Sequence, residues 1–202
     1  MKQNIGLFVL FITLIWQTSC GPYHHLDNKE FENIYLFQNG KEKKLHNGST
    51  ITIPKKEFSL HFYNKVYDGL NRKFYTVQIA AFLDKKYQEN IQEGMRLANI
   101  PFFAPGTGLA AERDGYKSLT IDNKGHHYLY YTNAHDKRLN LLSKHNEYYK
   151  LAFPINKITI ENRDYKINDL PIDKIYISIL IDRNLNKAVD KNELYNITII
   201  FK

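Results

Sequence analysis

The chain has 202 residues, 43% of them hydrophobic, with 15 Tyr, 12 Phe and one Cys, and a formal net charge of +7. That length suits a single domain able to bury a sizeable core without staples, and one cysteine excludes an intrachain disulfide. The lysines are spread as singles and pairs such as Lys43-Lys44, Lys55-Lys56 and Lys85-Lys86. No nucleic-acid motif accompanies them, so the charge reads as solvation of loops and strand edges, with no nucleic-acid partner expected.

At the N-terminus, Lys2 precedes an uncharged apolar run from Ile5 to Trp16, followed by Gln17-Thr18-Ser19-Cys20-Gly21. The run is short of the roughly 20 residues that span a bilayer but has the length and flanks of an export signal. Ser19-Cys20-Gly21 behind such a run resembles the end of a bacterial lipoprotein signal, although Gln17 stands where that family usually has an aliphatic residue. The resemblance implies cleavage before Cys20 and lipid on its thiol and new amine. With Gly21 following, it also implies sorting to the outer membrane, facing the periplasm. An ordinary secretory signal or an uncleaved anchor is the plain alternative. Residues 1–19 are therefore expected to be signal peptide, 20–32 a lipidated polar tether, and 33–202 one β-rich domain. Loss of Lys2 lowers the charge from +7 to +6. His24-His25 read as a solvated pair within the tether.

Beyond the tether the chain reads mainly as strands. Ile34 to Phe37 and Lys41 to Leu45 flank Asn39-Gly40, a hairpin turn signal. Asn47-Gly48 is a second such signal before Thr50 to Ile53. Glu57 to Tyr63 places Phe58, Leu60 and Phe62 on one face, and Asp68-Gly69 leads to a strand over Lys73 to Leu83. Asp84 to Asn99 is rich in helix formers, with Tyr87, Ile91 and Met95 at four-residue spacing, and predicts one short helix. Tyr116 to Ile121 and His126 to Thr132 flank the turn Asp122-Asn123-Lys124-Gly125 as a further hairpin. Tyr148 to Phe153, Ile155 to Glu161, Tyr165 to Ile167, Ile175 to Ile181 and Asn196 to Phe201 complete the strands, with a turn at Asn162-Arg163-Asp164. Short strands punctuated by turns predict an antiparallel β-sandwich with one short inserted helix.

Residues 182 to 193 hold Asp182, Asn184, Asn186, Ala188, Asp190 and Glu193 at positions 1, 3, 5, 7, 9 and 12, with apolar Val189 at position 8. This resembles the calcium loop of EF-hand proteins, in which side-chain oxygens and the position-7 carbonyl surround a hard cation. The resemblance implies a structural calcium ion pinning two strands. Lys187 departs from it, standing at the sharp turn where that family has Gly. An Asn/Asp-rich turn without an ion is the alternative.

Pro101 to Arg113 is apolar yet full of turn formers, and lacks the Lys-Ser/Thr of a phosphate loop, so no nucleotide is expected. It predicts a plug, with Phe102, Phe103 and Leu109 buried, or else a recognition loop. Adjacent His126 and His127 on a strand point to opposite faces, and no nucleophile elbow or metal-ligand spacing appears. The chain is therefore expected to be a binding protein, not an enzyme. Its partner is expected to be a protein, met by Phe102, Phe103, Thr107, Leu109, Glu112, Tyr128 and Tyr130. Small lipoproteins of this kind include immunity proteins that neutralise periplasm-delivered toxins. The alternatives are an envelope hydrolase using His126 or His127, and a structural or assembly lipoprotein.

Overall fold

The computed structural model describes residues 29–65, 77–109, 117–131, 138–146 and 148–202. Cys20, the signal, residues 20–28 of the tether, the Asp68-Gly69 turn and Glu112 lie outside them. The fold is mainly β. One sheet has the order β2-β1-β4-β9-β8, formed by Ile34–Gln38 (β1), Lys41–Leu45 (β2), Phe58–Lys65 (β4), Asn140–His145 (β8) and Tyr148–Ile155 (β9). The second has the order β3-β13-β12-β5-β7, formed by Thr50–Ile53 (β3), Val77–Phe82 (β5), His127–Leu129 (β7), Lys174–Ile181 (β12) and Leu194–Phe201 (β13). A small third sheet joins Ser118–Ile121 (β6), Lys157–Ile160 (β10) and Arg163–Lys166 (β11).

Alternation builds the sandwich. Phe58, Leu60 and Phe62 of β4 meet Ile175, Ile177 and Ile179 of β12 and Phe201 of β13 in one buried cluster. β5 and β12 are buried on both faces. The outer face carries Ala80, Phe82 and Leu180, packed beneath Ile91, Leu97, Ile100, Phe102, Phe103 and Val189. The segment from 91 to 103 is thus a strap over the second sheet. Of the three residues expected to form a plug, Phe102 and Phe103 are buried here, over a face of the sheet and not at one end of the sandwich, while Leu109 is only half-buried. Burial removes Phe102 and Phe103 from any contact surface.

Several expectations are corrected. The helix over Asp84 to Asn99 shrinks to Lys86–Glu89 (α1), with a separate 3-10 turn at Leu97–Asn99. Gly94 takes φ +85, and the amides of Gly94 and Leu97 bond to Val189 and Lys187 carbonyls instead of to a helical turn. Tyr87, Ile91 and Met95 do share one packed cluster, so the apolar face was legible where the conformation was not. The Asn47-Gly48 turn makes no hairpin. It carries the chain to the other sheet, where β3 pairs parallel with β13. Asp122 to Gly125 likewise separates strands of different sheets, since β6 pairs parallel with β10 and β7 antiparallel with β5. Among the described residues, two parallel ladders and an isolated parallel bridge at Gly108 and His126 thus accompany the antiparallel pairs. Asn39 and Gly40, at φ 52 and 75, do close the β1–β2 hairpin. The β10–β11 turn falls at Glu161 and Asn162, φ 49 and 65, one residue earlier than expected. β8 was not anticipated: Asn-Leu-Leu-Ser-Lys-His shows no alternation, and the strand is an exposed edge with a register shift between Leu141 and Ser143.

The domain begins earlier than residue 33. Lys29–Glu32 forms a 3-10 turn. Phe31 stacks on Tyr148 at 4.7 Å, and the Glu32 carbonyl accepts from Tyr195 Oη at 2.8 Å and Arg183 Nη2 at 3.1 Å.

Candidate functional site: an acidic loop and the groove it walls

The loop 182–193 joins β12 to β13, so its first and last residues arrive side by side from a hydrogen-bonded pair of strands. Asp182 Oδ1 accepts from the Asn186 amide (3.1 Å) and Oδ2 from the Lys187 amide (2.9 Å). Asn184 Oδ1 accepts from the Asn186 amide (3.1 Å), and Asn186 Oδ1 from the Ala188 amide (2.8 Å). The carboxamides of Asn184 and Asn186 both donate to Asp190 Oδ2, Asn186 at 2.7 Å. Glu193 folds back to accept from the amides of Arg183 (2.7 Å) and Asp190 (3.2 Å). All five side chains expected to ligate an ion are therefore tied into one network. Burial pushes the carboxyls of Asp182 and Glu193 up, and their backbone hydrogen bonds pull them partly back.

Val189 locks the loop to the strap. Its side chain is fully buried, its amide donates to the Met95 carbonyl (2.9 Å), and its carbonyl accepts from Gly94 (2.8 Å). The Arg96–Ala188 bridge is closed by Leu97 donating to the Lys187 carbonyl (3.0 Å) on one side and Val189 on the other. Ala188's own carbonyl is thereby turned away from Arg96. Lys187 does take the left-handed conformation, φ 61. That strain, about 1–2 kcal/mol for a residue with a Cβ, exceeds the unfolded-chain entropy that glycine adds, about 0.4–1 kcal/mol. Lys187→Gly is therefore expected to raise stability in chelator by about 0.5–1 kcal/mol. Denaturant melts measure it, and an unchanged or lower midpoint would remove the strain argument.

Between this loop and the strap lies an open groove of about 1120 Å³. Asp182 and Leu185 to Ala188 form one wall, Arg96 to Ala98 another, and Phe103 to Gly106 with Gly108, His126 and Tyr128 the third, with Gln78 of β5 among the lining residues. Tyr128, opposite Gln78 in the β5–β7 ladder, is 37% exposed, as is Leu185 across the groove. Of the expected contact residues, Tyr128 faces the groove, while Thr107, Leu109 and Tyr130 are half-buried near it. Thr107 Oγ1 donates to the Ala104 carbonyl (2.7 Å). Leu109 packs so close to Gly125 that a Cβ there would lie 2.7 Å from Leu109 Cδ2.

The two histidines part company, as strand geometry requires. His126 Nδ1 donates to the Phe102 carbonyl at 2.6 Å, and burial holds its pKa down. His127 Nε2 accepts from the Thr120 amide at 2.9 Å. Burial, with help from Arg138 and His126, pushes its pKa down to about 3. Such a group is spent as a structural acceptor and is no base for a reaction near neutrality.

A different histidine carries the arrangement the sequence reading missed. Ser59 Oγ donates to His61 Nε2 (2.8 Å), and His61 Nδ1 donates to Glu42 Oε1 (2.6 Å). Lys150 also meets Glu42 at 2.9 Å. Burial holds His61 neutral against the pull of Glu42. Burial also raises Glu42, but the hydrogen bonds from Lys150 and His61 outweigh it and hold the carboxyl low. Lys150 is thus the cation of the pair. The order of groups is that of a serine triad, yet β4 lies between β1 and β9. Its amides are committed to two ladders, so β4 itself offers no free oxyanion donor beside Ser59. The chain ties β2, β4 and β9 together. Ser59 and His61, two apart on a strand, share a face and were legible. Glu42 arrives from β2, with β1 between, and was not.

The protein is β-sandwich-like, with an acidic loop and an adjoining open groove. No protein-family model matches the chain, and no curated protein matches it.

Proposed function

We propose that this is a lipid-anchored binding protein, held by Cys20 on the periplasmic face of a bacterial outer membrane, which engages another protein through the groove beside Tyr128. The observation that carries the reading is the groove itself: open, partly apolar, and walled by cations and an exposed aromatic. Interfaces favour such a mixture of aromatic and Arg side chains. The protein acts by occlusion, in the manner of an immunity protein covering a toxin that reaches the periplasm, an analogy of class.

The loop fits a calcium ion in the chemistry of its donors. Asp182, Asn184, Asn186, Asp190 and Glu193, with the Ala188 carbonyl, would hold it, all through oxygen. Its charge would offset three carboxylates that now rely on amides. The intraloop bonds stand in its way: Asn184 and Asn186 present N–H to Asp190, and among the described residues no three His, Cys, Asp or Glu side chains are gathered closely enough to hold a metal. Both carboxamides must turn, so affinity is modest.

Cys20→Ala tests the anchor. The wild type is expected in the membrane fraction, released only by detergent, and the variant in the soluble fraction. A correctly processed Cys20→Ala protein that still needs detergent would refute lipidation. Affinity capture from the native envelope tests the docking: Tyr128→Ser should reduce capture without changing the melt, and undiminished capture would move the interface elsewhere.

A further inference from the structure

We infer that the groove takes an extended peptide segment bearing an acidic side chain, its carboxylate received by Arg96 and Lys187 and a backbone amide by Gln78. This deepens the protein-binding reading and rests on it. Gln78 is 7% exposed, and its Oε1 has no hydrogen-bond partner. A buried acceptor left unpaired is costly until a donor reaches it. A carboxamide offers one acceptor and one donor side, which a peptide amide matches with N–H and C=O.

The charge is complementary. Arg96 lies in the Arg96–Ala188 bridge and Lys187 beside it, both are exposed, and neither enters an ion pair among the described residues. Asp182, the one carboxylate in the lining, turns both oxygens to loop amides. Arg in particular offers a planar fork matched to a carboxylate. The apolar share also fits a peptide. Among the described residues, five large apolar side chains are exposed, and two of them, Tyr128 and Leu185, stand on this groove. At about 1120 Å³ and open, the groove exceeds the roughly 300–1,000 Å³ of ordinary small-ligand pockets.

The test uses the full lipidated chain in detergent micelles, with pools of amidated, N-acetylated hexapeptides in which one position is fixed as Asp, Asn or Lys. The Asp pools should bind about tenfold more tightly than the Asn pools, as one charge-assisted hydrogen bond supplies, and the preference should shrink at high salt. Arg96→Gln with Lys187→Gln should erase the preference, whereas Lys43→Gln on β2 should not. Gln78→Leu should weaken every pool and leave the preference intact. Far-UV circular dichroism confirms that each variant is folded, and Arg96→Gln alone, fully surface-borne, serves if the double variant is not. Equal binding of Asp and Asn pools, or a preference indifferent to Arg96, overturns the inference. If that happens while envelope capture still depends on Tyr128, the docking reading survives alone. Acid-selective pools without any captured partner leave the site and sink the docking reading.

Discussion

Acidification should unfold this domain early, with stability falling by several kcal/mol between pH 6.5 and about 3. His127 is the principal cause. In the unfolded chain its imidazole titrates near 6.5; in the fold burial depresses it to about 3. The folded state therefore binds fewer protons than the unfolded state throughout that window, and linkage makes stability fall as pH falls. The contribution is complete above 6.5 and exhausted below 3, and its ceiling is about 5 kcal/mol at 1.36 kcal/mol per pKa unit. His61 and His126, also held down by burial, act in the same direction. The raised carboxyls of Asp182 and Glu193 act oppositely, because their protonation relieves a buried charge. His127→Gln isolates the effect. Its amide oxygen can still accept from Thr120, so the variant is expected to lose about 1–2 kcal/mol at neutral pH while its stability declines less steeply toward acid. Urea midpoints from pH 7 to 4 measure both slopes. Parallel slopes in wild type and variant would mean that His127 does not set the acid response.

Calcium at millimolar concentration should raise the melting temperature well above its value in chelator. A ligand that binds only the folded state contributes about 2.7 kcal/mol at a hundred times its Kd. In a domain of this size 1 kcal/mol moves Tm by about 2–4 °C, so the gap is roughly 5–10 °C. Glu193 is the residue to change, because it closes the loop from position 12 and is buried. Glu193→Gln keeps its shape and an acceptor for the Arg183 amide but removes the charge and the acceptor for the weaker, 3.2 Å bond from the Asp190 amide. It should abolish the gap while leaving the chelator baseline within about 1 kcal/mol of wild type. Coincident wild-type melts with and without chelator would rule the ion out. A Glu193→Gln protein with the full gap would place the ion elsewhere.

What could be read from the chain alone was what is encoded in neighbours. Ile175 to Ile181 alternates and is a strand with four isoleucines on the core face. Asn39-Gly40 closes a hairpin because both residues tolerate positive φ. The spacing from Asp182 to Glu193 located a loop whose side chains are tied into one hydrogen-bond network. Phe102 and Phe103 were legible as buried by their apolarity. Sequence could also have paired Ser59 with His61, since strand geometry puts them on one face.

Partnership between distant segments was decided by the tertiary structure. Asn47-Gly48 and Asp122 to Gly125 have hairpin chemistry, yet each sends the chain to another sheet, because β13 and β10 offer ladders that the adjacent strand does not. The helix expected over 84–99 gave way because the outer face of β5 and β12 was apolar and needed covering. Bonds to residues 187–189 then satisfied the strap's amides in place of a helical ladder. β8 exists only because β9 lends it an edge. Gln78, Arg96 and Leu185 stand more than 100 residues apart at their extremes and carry no local signature, so their meeting in one groove follows from packing alone. Hydrophobic periodicity and turn chemistry are properties of a few consecutive residues. A site is a property of long-range contacts, which local patterning permits and only the packed fold selects.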